Sequence, residues 1–264
     1  MCPYGGRWIG GDGPPWTTGE ACAHVLLIET DQGLVLVDSG FGLGQMQEPK
    51  RIGPVRWLIR PQVDESETAI RQVEALGFSA SDVRYFVPTH LDVDHAGGLP
   101  DFPDAELHIW RPEMDAIQNP SLKERARVMK DLFAHGPNWH PHDVDGDEWM
   151  GFEAVRPLPG TDAEVLIVPL PGHTRGHSAI AVQGPDGWLL HCGDAYFHRN
   201  QVQTPASCPP GMRAFQAMVG LERKRRLENE ERLRELNERK GSEIHMFCAH
   251  DHEEFESLRS QAAA

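Results

Sequence analysis

The sequence has few features that would tie it to a membrane, an oxidising compartment or a polyanion. Its five cysteines are odd in number and scattered, and none of them forms a C-x-x-C pair. No apolar run approaches the ~18 residues that a membrane-spanning helix needs, and the N-terminus lacks the basic and then apolar pattern of a signal peptide. We therefore expect a chain without structural disulfides in a reducing compartment, with the cytoplasm as the default location.

Positive charge is also scarce. Lys and Arg together number 25 against 40 Asp and Glu, which gives a formal net charge of −15. Such an acidic chain is a poor match for nucleic acid or for an anionic membrane surface. A length of 264 residues with 39% hydrophobic content is enough for a sizeable core. No low-complexity linker divides the chain, so we expect a single domain over residues 1–264 that acts on a small molecule, with a homodimer left open.

What the sequence does contain is a dense group of metal-binding side chains. Four of them fall within six positions: His90, Asp92, Asp94 and His95. The short, apolar stretch over residues 83–87 predicts a buried strand before them, and a Gly-Gly pair after them suits a tight turn. Imidazole and carboxylate together are ligands for zinc, iron or manganese. Capping and turn chemistry is the alternative use of such residues, and we favour a metal site on a loop at the strand end.

Four more predicted strands end in residues of the same chemistry. They are residues 34–37, 164–170, 188–190 and 244–248, which precede Asp38, His173, Asp194 and His250. Two of these strands complete predicted hairpins, whose first strands are residues 24–29 and 178–182. Side chains that are far apart in sequence can converge on one edge of a β-sandwich when each stands at a strand end. For Asp38, a turn-forming role before Gly is the alternative.

The remaining segments predict helices and irregular structure around these strands. We predict an irregular insertion over about 41–66, a helix over 67–76 with Ser66 as its N-cap, and a strand over 106–110. We also predict helices over 112–117 and 122–133, within a helical cap over about 111–150, and a long helix over 212–240. The basic run 223–226 is interpreted as a solvated helix face, with an anion-binding patch as the alternative.

Histidines recur between residues 134 and 150. His135, His140 and His142 stand there among Gly, Pro and Asp. We interpret them as polar loop residues, of which one contacts substrate, and keep a second metal site as the alternative.

The order of these pieces resembles that of the metallo-β-lactamase superfamily, from the first hairpin to His250. The matching pieces are Val37-Asp38-Ser39-Gly40, the run from His90 to His95, Pro171-Gly172-His173, Gly193-Asp194-Ala195 and Ala249-His250. The resemblance implies an α/β fold with four layers, αββα, in which two sheets pack face to face with helices outside. It also implies a dinuclear site for two divalent metal ions, with zinc expected first and iron or manganese as alternatives.

The resemblance also assigns the ligands by position. One ion takes His90, Asp92 and His173, the other takes Asp94, His95 and His250, and Asp194 bridges the two. Asp38 would orient the metal-binding loop, and His177 would be a structural neighbour rather than a ligand.

At Asp92 this chain departs from the family pattern, which has His there. Two divalent ions carry +4, while three aspartates and a bridging hydroxide carry −4, so the formal sum is zero where a His would leave +1. A less positive site should lower the pKa of its water less and shift the metal preference toward iron or manganese. Flavodiiron oxygen and nitric oxide reductases, which have Glu at this position, carry a flavin domain that this chain lacks room for after His250.

Hydrolysis of an ester-like bond by the metal-bound hydroxide is the chemistry that the resemblance implies. Asp94 would accept a proton and return it to the leaving group. Tyr196 would hydrogen-bond the substrate carbonyl, with a packed aromatic residue as the alternative. Among lactones, thioesters and β-lactams, a lactone is marginally preferred.

Three other functions stay open at this point: a thioesterase of the glyoxalase II type, a di-iron redox protein and a non-catalytic ligand-binding module. Specificity is expected to depend on residues 41–66, 111–150 and 196–212, which lie over the cleft.

Overall fold

A computed structural model describes residues 1–143 and 145–262, and within these residues the chain forms eleven strands and eight α-helices. The strands are β1 Leu26–Thr30, β2 Gly33–Val37, β3 Val83–Phe86, β4 Glu106–Trp110, β5 Asn138–His142, β6 Asp147–Trp149, β7 Phe152–Pro157, β8 Val165–Pro169, β9 Ser178–Gly184, β10 Gly187–His191 and β11 Ile244–Phe247. The helices are α1 Leu43–Gln47, α2 Arg56–Ile59, α3 Ala69–Ala75, α4 Val93–Ala96, α5 Arg111–Gln118, α6 Pro210–Val219, α7 Arg223–Lys240 and α8 His252–Ala262.

The strands form two sheets. The first has the order β1-β2-β3-β4-β5, and the second has the order β11-β10-β9-β8-β7-β6. Both predicted hairpins are present: β1 pairs with β2, and β9 pairs with β10, in antiparallel register. The strands β3, β4 and β5 extend the first sheet in parallel. Because parallel neighbours point their carboxyl ends the same way, the loop after β3 emerges at a fixed edge of the sheet.

Alternation along β2 divides the core into layers. Val35 and Val37 face the second sheet and pack with residues of β8 and β9, such as Ile167 and Ile180. Leu34 and Leu36 face the other way and pack with residues of α3. Successive side chains of a strand point to opposite faces, so one strand contributes to both layers.

The second sheet is covered in the same way. Leu233 and Leu236 of α7 are fully buried against its outer face, together with Val168 and Leu190. With α3 on one side and α7 on the other, the layers run helix, sheet, sheet, helix. The predicted αββα arrangement is therefore confirmed.

Several element predictions need correction. Residues 212–240 form two helices, α6 and α7, because the chain leaves the helical region at Gly220. Residues 122–133 are two short 3-10 turns rather than an α-helix. Thr68, not Ser66, stands at the N-cap of α3. Residues 138–142 are not a loop, since they pair with β4 along its whole length and form the edge strand β5.

No helix in residues 1–143 and 145–262 combines the length and the apolar character that crossing a membrane requires.

Candidate metal centre

The predicted metal-binding side chains converge at one edge of the sandwich. They are the run from His90 to His95 after β3, His173 after β8, Asp194 after β10 and His250 after β11, and the predicted orienting residue Asp38, after β2, lies beside them. The loop that carries Asp194 packs closely against His177 and Thr89, and this contact depends on Gly193, whose φ of 51° is left-handed. A Cβ at this position would lie 2.7 Å from Nε2 of His177 and 2.8 Å from Cβ of Thr89, so a side chain would force the loop away from its neighbours.

The first group of candidate ligands comprises His90, Asp92, His173 and one oxygen of Asp194. Oδ2 of Asp92 lies 3.3 Å from Nε2 of His90 and 3.1 Å from Nε2 of His173. Oδ2 of Asp194 lies 3.3 Å from Nε2 of His173 and 4.0 Å from Nε2 of His90. A tetrahedral ion with bonds of about 2.0–2.1 Å holds its ligand atoms about 3.3 Å apart. The four atoms therefore fit around one such ion.

The second group comprises Asp94, His95, His250 and the other oxygen of Asp194. Oδ1 of Asp194 lies 3.3 Å from Nε2 of His95 and 3.1 Å from Nε2 of His250. Oδ2 of Asp94 lies 3.7 Å from Nε2 of His250. Asp194 thus presents one carboxylate oxygen to each group, which is the geometry of a bridging ligand.

Unpaired polar atoms indicate that these groups fit cations. Among the described residues, the buried atoms without a hydrogen-bond partner include Nε2 of His90, Nε2 of His95 and Oδ1 of Asp194. Leaving a buried polar atom unpaired costs about 1–3 kcal/mol. Nε2 of His95 and Oδ1 of Asp194 lie 3.3 Å apart in the second group, Nε2 of His90 belongs to the first, and all three are donors that zinc and similar ions accept. The donor set fits two divalent ions.

In His95 and His250, the ring nitrogen that faces away from the group, Nδ1, makes a hydrogen bond that holds the imidazole in place. Nδ1 of His95 lies 2.9 Å from Oδ2 of Asp38, and Nδ1 of His250 lies 2.8 Å from the carbonyl oxygen of Cys22. Asp38 also accepts hydrogen bonds from the backbone N–H (2.7 Å) and the hydroxyl of Thr89. Metal-binding histidines are typically oriented by a carboxylate or carbonyl in this way. Asp38 thus makes the contacts predicted for a residue that orients the metal-binding loop.

His177 is a structural neighbour, as predicted. Its Nε2 accepts a hydrogen bond from the backbone N–H of Asp194 at 2.9 Å, and its Nδ1 donates to the carbonyl of Leu170 at 3.0 Å. Burial holds the pKa of His177 well below its usual range, so the ring is neutral. Both nitrogens are occupied, which leaves no lone pair for an ion.

Arg127 is the residue that the sequence reasoning missed. Its Nε donates to Oδ1 of Asp92 at 2.9 Å, and its Nη2 contacts Oδ2 of the same carboxylate and lies 2.7 Å from Nε2 of His173. Nη1 donates to the carbonyl of Val219. Burial would raise the pKa of Asp92, but Arg127 and contacts with His173 and His90 hold it well below its usual value. The only signal in the sequence was indirect: the extra carboxylate at Asp92 calls for a compensating cation.

The prediction for Tyr196 is wrong. The ring is fully buried in the core behind the second sheet, and its hydroxyl donates to Oε1 of Glu254 at 3.1 Å. Phe197 lines the cleft instead. The tight turn after Gly193 directs residue 196 into the core, so Tyr196 cannot reach a substrate carbonyl.

A largely apolar cavity of about 990 Å³ opens over the centre. Its floor includes Asp92, Asp94, Arg127, His173, Asp194 and His250. Its walls come from residues 52–59, 123–129 and 211–221, and also from the N-terminal segment. Trp8 and Trp57 stand in these walls with 55% and 75% of their surface exposed. The three ranges expected to set specificity all contribute, and residues 1–21 join them.

The chain has relatives over most of its length. A probable metallo-hydrolase of Mycobacterium tuberculosis is 45% identical over 240 residues, which is 90% of this chain and 77% of the relative. An N-acyl homoserine lactonase of Azorhizobium caulinodans is 28% identical over 88% of this chain and 83% of its own. A solved structure of an N-acyl homoserine lactone hydrolase, with N-hexanoyl-L-homoserine bound at its metal centre, has a similar fold (TM-score 0.70, 21% identity, 97% of this chain and 91% of that one).

The family itself is indicated by a match over nearly the whole chain. The family model of the metallo-beta-lactamase superfamily covers residues 23–260, which include β1 to β11 and all the predicted ligand positions. Together with the 45% identical relative, this match establishes that the chain belongs to the metallo-beta-lactamase superfamily.

Proposed function

We propose that this hydrolase opens the ester bond of a lactone that carries an apolar substituent, and that it uses two divalent ions to do so. The observation that carries the proposal is the position of the two ligand groups, joined through Asp194, on the floor of a deep apolar cavity. An ester group can reach the ions only if the rest of the substrate lies against the apolar walls.

The two ions have distinct sets of protein ligands in this proposal. His90, Asp92 and His173 would hold one ion, Asp94, His95 and His250 the other, and Asp194 would contact both. The ligand distances given above support this assignment, and zinc fits it best because imidazole and carboxylate at tetrahedral spacing are typical of zinc. Bound there, divalent ions lower the pKa of water and polarise a carbonyl group.

Asp94 is the residue that we propose moves the proton. Its side chain is partly exposed to the cavity, and its Oδ2 is 3.7 Å from Nε2 of His250. With Oδ2 directed at His250, we propose that Oδ1 accepts a proton from the attacking water. The same carboxyl can then return that proton to the leaving alkoxide.

Arg127 has two consequences for the first ion. The formal charge of zero expected for the centre becomes +1 when the guanidinium is counted, which is the value that His at position 92 would give. However, Nε2 of His173 has a single lone pair, and at 2.7 Å it is directed at Nη2 of Arg127. Binding of the ion therefore requires Nη2 to move away, while Nε can remain on Asp92.

The cavity favours an acyl substituent over a charged one. Its walls are lined mainly by apolar side chains such as Ile9, Trp57, Met129, Phe215 and Met218. A cavity near 1,000 Å³ is at the upper end of the sizes that small-molecule sites usually have. The lactonase names of several relatives agree with this substrate class.

A thioesterase of the glyoxalase II type receives less support. Three of the four residues of the basic run that kept this option open form local ion pairs: Lys224 with Glu228, Arg225 with Glu222 at the N-cap of α7, and Arg226 with Glu230. Arg226 is also buried, so it cannot bind an external anion. These contacts match the interpretation as a helix face with internal ion pairs.

The test is a substrate panel on protein whose metal content has been measured. N-acyl homoserine lactones with short and long acyl chains, a simple aryl ester, a thioester and a β-lactam would be compared. We expect the lactones to have the highest kcat/KM, and we expect kcat/KM to rise with acyl chain length. Absence of turnover on every substrate by a protein holding two zinc ions would sink the proposal. Iron with oxygen consumption would favour the redox alternative instead.

A further inference from the structure

A second cluster of histidine and carboxylate side chains lies outside the centre, between β4 and β5. Glu106 and His108 stand two residues apart on β4, and the parallel register places His140 of β5 opposite His108. Residues two apart on a strand share a face, and directly paired residues of neighbouring strands share it as well. All three side chains therefore project from one face of the sheet.

The ligand atoms of these residues are close enough to share an ion. Oε2 of Glu106 lies 3.2 Å from Nε2 of His108 and 3.8 Å from Nε2 of His140. The three ligand atoms all lie within 4.8 Å of one another.

His108 is prepared to act as a ligand. It is 1% exposed, and burial this deep favours the neutral imidazole that a metal ion needs. Its Nδ1 lies 3.0 Å from Nε2 of His142. When His108 donates its proton from Nδ1 to His142, the lone pair of Nε2 is directed toward Glu106. A second histidine in this position orients the ligand as Asp38 orients His95.

The other two ligands give access from solvent. The side chains of Glu106 and His140 are 35% and 40% exposed, so an ion can enter and water can complete its coordination. Two imidazoles, one carboxylate and water form a donor set that zinc accepts. By contrast, His135 is exposed and is not among the three residues of this cluster.

We propose that Glu106, His108 and His140 bind one divalent transition-metal ion of the zinc type, in addition to any ions in the metal centre. The ion would join the edge strand β5 to β4 and so fix both ends of the segment 111–137. That segment carries Arg127 into the cleft. The proposal shares no residue with the metal centre and does not depend on the proposed function.

The experiment compares the zinc content of wild type, H140A and E106Q, with H135A as the matched control. Each purified protein is stripped of metal, dialysed against micromolar free zinc and analysed for bound metal. We expect H140A and E106Q each to bind one ion fewer per chain than wild type, while H135A binds the same number as wild type. Equal zinc content in all four proteins would overturn the proposal, as would an equal loss in H135A.

A second measurement separates a lost ligand from a lost fold. His140 and Glu106 are partly exposed, so the metal-free variants should unfold at nearly the temperature of the metal-free wild type. Zinc binds only the folded protein in this scheme and raises the unfolding temperature. We expect this rise to be smaller in H140A and E106Q than in wild type and H135A. A rise of equal size in all four proteins would contradict a third site.

Discussion

The first and second groups of side chains form the two halves of the candidate metal centre. The halves differ in the charged side chain that contacts each of them. In the second half, the carboxylate of Asp38 lies behind His95 and makes that imidazole a stronger donor. In the first half, the guanidinium of Arg127 lies on Asp92 and reaches His173. In the second half, the negative charge of Asp38 favours binding of a cation. In the first half, the positive charge of Arg127 opposes it. We infer that the second half binds its ion more tightly.

Asp194 joins the two halves, and its removal should have the largest effect. In Asp194→Ala each group loses one ligand, and the link between the ions is lost. We expect turnover to fall by more than about 1,000-fold, because even one electrostatic contact in such a site can be worth that much. Measurement of kcat/KM and of metal content would show both losses.

The control for this change is Asp186→Ala, at the exposed turn of the same hairpin. It should keep full activity and metal. Turnover by Asp194→Ala at the wild-type rate would contradict a shared ligand.

Removal of Arg127 should change only the first half. In Arg127→Met the partly buried carboxylate of Asp92 loses its charged hydrogen-bond partner, and the metal-free protein should lose about 2 kcal/mol of unfolding free energy. The ion should then bind the first half about 10-fold more tightly, a change of about 1.4 kcal/mol, because the lone pair of His173 is released and a repulsive charge is gone. Calorimetric titration with zinc would measure both sites.

Arg125→Met, two residues earlier on an exposed part of the segment, is the matched control and should leave both affinities unchanged. Tighter binding in the second half instead of the first would contradict the assignment of Arg127. A further check is the double variant Asp92→His/Arg127→Met. Asp92→His alone restores the family's ligand pattern but leaves Arg127 beside His173, so the double variant should bind the first ion more tightly.

Asp38→Asn should weaken only the second half. The amide keeps the size of the side chain but provides no negative charge behind His95. Ion affinity at the second half should fall about 10–100-fold, the usual effect of losing an orienting carboxylate. Titration should show the affinity of the first half unchanged, and equal weakening of both halves would indicate a general disturbance of the loop instead.

The sequence predicts the position of a side chain well when it directly follows an apolar strand. It predicts the position poorly when contacts between distant segments determine it. The convergence of the candidate ligands, from His90 to His250, could be predicted because each follows an apolar strand. Arg127 could not, since it reaches Asp92 from an irregular segment that has no periodicity. Residues 138–142 contain no β-branched residue, and they form a strand because β4 offers an open edge. Position 196 was misjudged because the turn after Gly193 decides which way its side chain points.

The smallest expected effect on activity is that of Tyr196→Phe. This variant tests whether a side chain buried behind the second sheet takes part in the chemistry of the metal centre. Burial raises the pKa of Glu254 to about 7, while the hydroxyl of Tyr196 opposes this rise by donating to the carboxylate. Because the folded-state pKa lies above the ordinary value of 4.5, stability is lost as the pH rises from that value through 7. The hydroxyl favours the ionised form, so its removal should cost about 1 kcal/mol above the pKa of Glu254 and less below it. Activity should stay within about 2-fold of wild type, since a lost hydrogen bond to substrate would cost far more. Thermal unfolding on both sides of that pKa, together with kcat/KM on a lactone, would test both expectations. A large fall in kcat with no change in stability would indicate instead that the hydroxyl of Tyr196 contacts the substrate in the cleft.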